Sequence, residues 1–207
     1  MSGRAVGRPR RTGGRTVSRT MVILGDGASE KRYFDENFRK RDMPVKLVVR
    51  ETGETGIKKN VRKGMNVVKE LGLNLDEGDR VAIVTDLDDR YDADTLRAEV
   101  DECLRRGFEL YLSNPCFEVW LLLHYGTNIK KGPASFMTEQ LQHATGGRYN
   151  KSKGISPSPE MISKAILNAE QLQGKNDLAP IRCLDTNPST MVNSLVKKIN
   201  GSVLKSG

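Results

Sequence analysis

Hydrophobic and polar positions along the chain follow two periods in turn. From Thr20 onward, apolar runs of strand length, "MVILG" (21–25), "VKLVVRE" (45–51), "RVAIVTD" (80–86) and "GFELYLS" (107–113), alternate with stretches in which apolar residues recur at helical spacing. Those stretches predict helices over about 29–40, 57–71 and 93–106, the last with Leu96, Val100 and Leu104 on one stripe. Strands separated by helix-length segments predict an α/β layer with a mostly parallel four-stranded sheet, because parallel neighbours require crossover connections. Beyond it, "SNPCFEVWLLLHYG" (113–126) is apolar nearly all round and predicts a buried helix, with Asn114 as cap and Pro115 in its first turn. Helices near 159–173 and 189–200 are expected to complete the domain as a helical C-terminal extension, covering the sheet or offering a partner-binding face.

Charge divides the chain into parts. Of its net +8, six positive charges fall within residues 1–19 as arginines (Arg4, Arg8, Arg10, Arg11, Arg15 and Arg19), with no acid among them. Such a segment cannot bury apolar surface, so a disordered basic tail is expected over 1–19, one domain over 20–200 and a flexible end over 201–207. Arg8, Arg10 and Arg11 suit nucleic-acid phosphates; a solubilising leader explains the same composition equally well. No apolar stretch approaches the roughly 20 residues of a membrane span, and the N-terminus lacks the apolar segment of an export signal, so the expected setting is cytoplasmic, with no membrane. Three cysteines without C-x-x-C spacing argue against a disulfide framework and a zinc site, and two separated histidines argue against a His-ligated metal. Any metal would therefore be held by oxygen.

The candidate chemistry is carboxylate chemistry. "VAIVTDLDDRYDAD" (81–94) crowds five aspartates behind the most apolar strand. In open α/β sheets ligands bind beyond the carboxyl ends of the strands, where Asp86 falls. If the chain stays extended, Asp86 and Asp88 point the same way about 6.6 Å apart, and both can face one Mg²⁺ or Mn²⁺. Asp92 and Asp94, with Asp89, fit the plainer role of capping the next helix. An EF-hand loop and a D-x-D-x-T phosphohydrolase both fail at Arg90, whereas a D-x-D glycosyltransferase remains open. "VILGDGASEKRYF" (22–34) brings Asp26 to another strand end and opens a helix with Ser29 and Glu30, for which capping is the competing reading. Glu118 lies within the apolar 113–126 segment and must find either a basic partner or a shared metal. His124 is expected to be a core residue. Arg90, Lys151 and Lys153 are candidate phosphate binders, or solvated loop cations.

Five strings, "GDGASEKRYF", "VTDLDD", "SNPCFEVWLLLH", "RYNKSKG" and "NPSTMVNSLV", stand in the order and approximate spacing of RloB-like proteins, and the chain resembles that family over roughly residues 20–200. The resemblance implies a Toprim-like fold, a place in prokaryotic anti-phage defence and a neighbouring ATPase partner of the ABC or AAA type. It also implies that Asp26, Asp86, Asp88 and Glu118 hold Mg²⁺ for phosphodiester cleavage of RNA or DNA, with Asp26 or Glu30 as general base. The family usually carries Glu-Gly where this chain has Asp26-Gly27, a carboxylate one methylene shorter. The competing function is a non-catalytic subunit that binds nucleic acid or the ATPase.

Overall fold

A computed structural model of the chain describes residues 19–39, 45–88, 91–151, 153–174 and 178–204. The expected strands and helices form in order: β1 (Arg19–Gly25), α1 (Ala28–Phe38), β2 (Val45–Glu51), α2 (Ile57–Leu71), β3 (Arg80–Asp86), α3 (Ala93–Arg105) and β4 (Glu109–Asn114). There follow α4 (Glu118–Leu122), α5 (Ala134–Ala144), α6 (Pro159–Gln173), α7 (Pro180–Asp185), β5 (Ser189–Thr190) and α8 (Val192–Leu204). The sheet runs β2-β1-β3-β4-β5. Its first four strands are parallel, as expected, and the two-residue β5 adds an antiparallel edge to β4.

Burial follows this order. The central β1 and β3 have unbroken buried runs, Met21–Gly25 and Val81–Thr85, because helices cover both faces, whereas the edge strand β2 buries only Leu47 and Val49. Strand order also sorts the helices. The chain leaves β1 toward β2 through α1, then reverses across β1 to β3 through α2 and on to β4 through α3. Right-handed crossovers consequently put α1 on one face and α2 with α3 on the other. The aromatic contacts agree: Tyr33 of α1 packs edge-on against Phe117 and Trp120, at centroid distances of 5.8 and 6.1 Å, on the face shared with α4.

Several local expectations shift. In α3 the buried stripe is Leu96, Val100 and Cys103, while Leu104 is 57% exposed, since a 3.6-residue period carries position 103 to the core. The helix expected across 113–126 contracts to Glu118–Leu122: residues 113 and 114 belong to β4, and Phe117 rather than Asn114 is the N-cap. The Asn114 amide instead donates to the carbonyls of Cys183 and Leu184, at 2.9 and 3.0 Å. Helices α5 and α7 had no counterpart among the expected elements. At the far end α8 continues through Leu204, so residues 201–204 are helical rather than part of a flexible end. Among the described residues no helix is long and apolar enough to cross a membrane.

Candidate functional site: a carboxylate cluster at the sheet's carboxyl edge

The strand order reverses between β1 and β3, and at that reversal the loops leaving the two strands diverge to opposite faces and open a crevice. Asp26 follows β1, and Asp86 ends β3. Their neighbourhood is built by glycines. A Cβ on Gly25 would lie 2.5 Å from the Cβ of Glu30, so only glycine lets the first turn of α1 close down on the strand end. The N-cap of α1 is Gly27, not the expected Ser29. Its N–H donates to Glu30 Oε2 at 3.2 Å, which folds the Glu30 side chain back over the crevice.

Asp26 is buried and fully engaged. Asn60 Nδ2 donates to its Oδ1 at 2.6 Å, and Thr85 Oγ1 to its Oδ2 at 2.7 Å. Thr52 donates to Asn60 Oδ1 at 2.6 Å, which orients the amide so that its donors face Asp26. Two donors, one on each oxygen, fix the orientation of this carboxylate. At Glu30 burial, then the charges of Asp26 and Glu118, push the carboxyl up to about 7. Burial and the charges of Glu30, Asp26, Glu118 and Asp88 likewise hold Asp86 well above the ordinary carboxylate range. Five carboxylates thus act on one another across the carboxyl edge of the sheet.

Asp88 arrives by a different path from the one expected. The chain does not stay extended after Asp86: Leu87 is fully buried, its N–H bonded to Ser113 O at 2.9 Å, and Asp88 adopts φ +46° with its N–H on Pro115 O at 3.2 Å. The pair is joined by a bend. Glu118, 2% exposed at the start of α4, has found the basic partner that burial required: Lys151 Nζ lies 3.2 Å from Oε1, and the Tyr149 hydroxyl donates to the same oxygen at 3.1 Å. Burial and the Glu118 charge raise the phenol of Tyr149, and the same two causes, with Asp86, raise the thiol of Cys116.

The structure therefore brings Asp26, Glu30, Asp86, Asp88, Glu118 and Lys151 together. Lys153 is exposed one turn beyond, and Arg90, Asp89, Arg8, Arg10 and Arg11 lie outside the described residues. Asp92 caps α3 as expected, accepting from Thr95 N at 2.8 Å, and Asp94 stands in the first turn of α3, where a carboxylate favours the helix dipole, and also pairs with Arg97 at 3.2 Å. His124 is a core residue: its ring bonds the Tyr33 hydroxyl and the Trp120 carbonyl, and burial lowers it to about 4. Asn60, Thr85 and Tyr149 are participants that sequence reasoning missed. Thr85 adjoins Asp86 in "VTD" and Tyr149 falls within "RYNKSKG"; Asn60 carried no local hint.

The donor chemistry suits a hard divalent cation, because every candidate ligand is a carboxylate; among the described residues Lys151 pairs with Glu118. Among the described residues, no group of three such side chains is already gathered closely enough to ligate one ion.

A family model described as RloB-like protein matches residues 21–199. The chain belongs to the RloB-like family. The match takes in every element that builds the crevice of this RloB-like domain, and its mostly parallel sheet flanked by helices is consistent with a Toprim-like description. No curated protein and no solved structure matches the chain.

Proposed function

We propose that this RloB-like chain is a metal-dependent nuclease that cleaves phosphodiester bonds of RNA or DNA, as effector of a prokaryotic defence system that includes an ABC- or AAA-type ATPase. The observation that carries this reading is the convergence of Asp26, Glu30, Asp86, Asp88 and Glu118 on the carboxyl edge of the sheet, close enough that Glu30 and Asp86, raised first by burial, are pushed up further by the charges of their neighbours. A fold with no use for that repulsion gains nothing by keeping it, since crowded carboxylates destabilise the native state until a cation or proton neutralises them.

Asp26, Asp86, Asp88 and Glu118 would hold Mg²⁺ or Mn²⁺, which when bound supplies charge neutralisation at the scissile phosphate and an acidified water. The side chains have distinct tasks around it. Asp26, pinned by Asn60 and Thr85, presents its carboxylate in one orientation. Glu30, with its carboxyl near 7, is suited to take or return a proton at working pH, a property that a general base requires. Lys151, mostly exposed yet reaching Glu118, is placed to exchange that carboxylate for a substrate phosphate.

A second reading is favoured by the Lys151–Glu118 pair and by the absence, among the described residues, of a ready three-ligand group: a non-catalytic subunit that binds nucleic acid or the ATPase. Turnover separates the two. Purified chain is incubated with labelled DNA and with total tRNA, with and without Mg²⁺ or Mn²⁺, alongside Asp86→Asn. Metal-dependent cleavage lost in Asp86→Asn supports the nuclease, as does a melting temperature that rises with metal in the wild type and not in the variant. Binding without cleavage under all conditions, with and without the ATPase, overturns it in favour of the subunit.

A further inference from the structure

The segment from α4 into α5 encloses a second feature, a half-open cavity of about 520 Å³ lined by Leu122, Tyr125, Ile129, Phe136, Gln140 and His143. This volume is within the range of small-molecule sites. Its mouth is preset, since Gln140 clasps the backbone of Lys130 from both sides: Lys130 N donates to Oε1 at 2.8 Å, and Nε2 donates to Lys130 O at 3.0 Å. Tyr125 leaves 39% of its surface to solvent, large for an aromatic ring, and Phe136 is half-buried. Lys130 and Glu139 stand on the rim, and the charge of Arg148 reaches the Tyr125 phenol, opposing the rise that burial causes.

The cavity adjoins the carboxylates. Leu122 is one turn beyond Glu118, about 6 Å along α4, and Tyr125 stands in the turn that follows, its N–H on Leu122 O at 2.8 Å. Arg148 precedes Tyr149, whose hydroxyl is on Glu118. At roughly the 3.4 Å per phosphate of one strand of a duplex, the Leu122 wall of the cavity is about two nucleotides from Glu118.

We propose that this cavity is a nucleobase subsite: it receives one unpaired base of a single-stranded nucleic acid, stacked on Tyr125 and Phe136, while flanking phosphates meet Lys130 and Arg148. The phosphodiester placed at the carboxylates rests on the nuclease reading; the base pocket itself does not. Aromatic walls with Lys130 at the rim and Arg148 close by match a planar base on a polyanionic backbone, and they match it without regard to sequence, because every base has a π-face. A duplex hides those faces in its stack, so only a splayed-out base can enter a concave site.

Fluorescence anisotropy tests this with the full chain in EDTA, where no cleavage intervenes, using a short labelled single-stranded RNA, an abasic strand with the same phosphates, and the matching duplex. Tyr125→Ala should weaken binding of the base-bearing strand about 5- to 100-fold, the range reported by loss of one stacked base, and leave the abasic strand unchanged. Tyr125→Phe, which keeps the ring, should bind like the wild type. Lys130→Ala should weaken both strands alike. Equal losses on both strands in Tyr125→Ala, no loss at all, undiminished preference for duplex, or a wild type that ignores base content would each overturn the subsite. Turnover of the wild-type chain with Mg²⁺ or Mn²⁺ keeps the two readings apart: base-dependent binding in a wild type that never cleaves sinks the nuclease and leaves the subsite standing, whereas cleavage with base-independent binding does the reverse.

Discussion

Glu30 shows how a single side chain reports on the site. Its carboxyl is raised from 4.5 to about 7, so between those values the native state binds a proton that the unfolded chain has released. Stability is therefore fully present below about 4.5 and is lost as pH rises through about 7, by up to about 3 kcal/mol for this group, with Asp86 acting in the same direction. Urea unfolding of metal-free protein from pH 5 to pH 8 should show the decline, and Glu30→Gln should flatten it; a profile as steep in the variant would remove Glu30 as its source. Asn60 acts through a neighbour. Asn60→Ala strips one donor from the buried Asp26 carboxylate and should cost about 1–3 kcal/mol in the same assay, because a buried acceptor then loses its partner. Stability unchanged from the wild type would mean that the Asp26 carboxylate does not depend on Asn60.

At the scale of the element, the junction of β1 and α1 decides whether Glu30 reaches the crevice at all. Gly25→Ala forces a Cβ to within 2.5 Å of the Glu30 Cβ, and the first turn of α1 has to move away from the strand end. We expect a loss of about 1–3 kcal/mol and, in titrations followed by carboxyl NMR, a Glu30 value that falls back toward 4.5 as the turn lifts away from Asp26 and Glu118. A stable variant with Glu30 still near 7 would show that the close approach is not needed. The short α4 teaches a related point. Its amino-acid pattern permits a longer helix, yet the chain bends at Pro115, and that bend sets Glu118 beside Lys151 and Tyr149 rather than along a continuous helical face.

For the whole molecule, charge is the property that local structure does not contain. The first strand takes in Arg19, and Thr20 N donates to Asp79 Oδ1 at 2.7 Å, so a truncation that spares the sheet ends at residue 18. Deleting residues 1–18 removes five arginines. The melting temperature should stay the same, while affinity for single-stranded nucleic acid falls and the slope of log affinity against log salt flattens by at most about five. Binding unchanged across salt would assign nucleic-acid affinity to the folded part alone.

The sequence by itself determined the parts that depend on neighbours along the chain. The four parallel strands and the helices between them were legible because period-2 and period-3.6 burial imprint themselves on successive residues. Asp26 and Asp86 at strand ends were legible for the same reason, and so was the capping role of Asp92. Fold family was carried by strings such as "SNPCFEVWLLLH". Only the tertiary structure decided what distance along the chain conceals. Asn60 meets Asp26 across 34 positions, Tyr149 meets Glu118 across 31, and β5 finds β4 in a two-residue strand too short to carry a period. It also turned the chain at Asp88, where the backbone bonds of Leu87 and Asp88 to Ser113 and Pro115 replace an extended run with a bend. Such pairings come from the closure of separate loops over one edge of the sheet, and loop closure leaves no period in the residues that it joins.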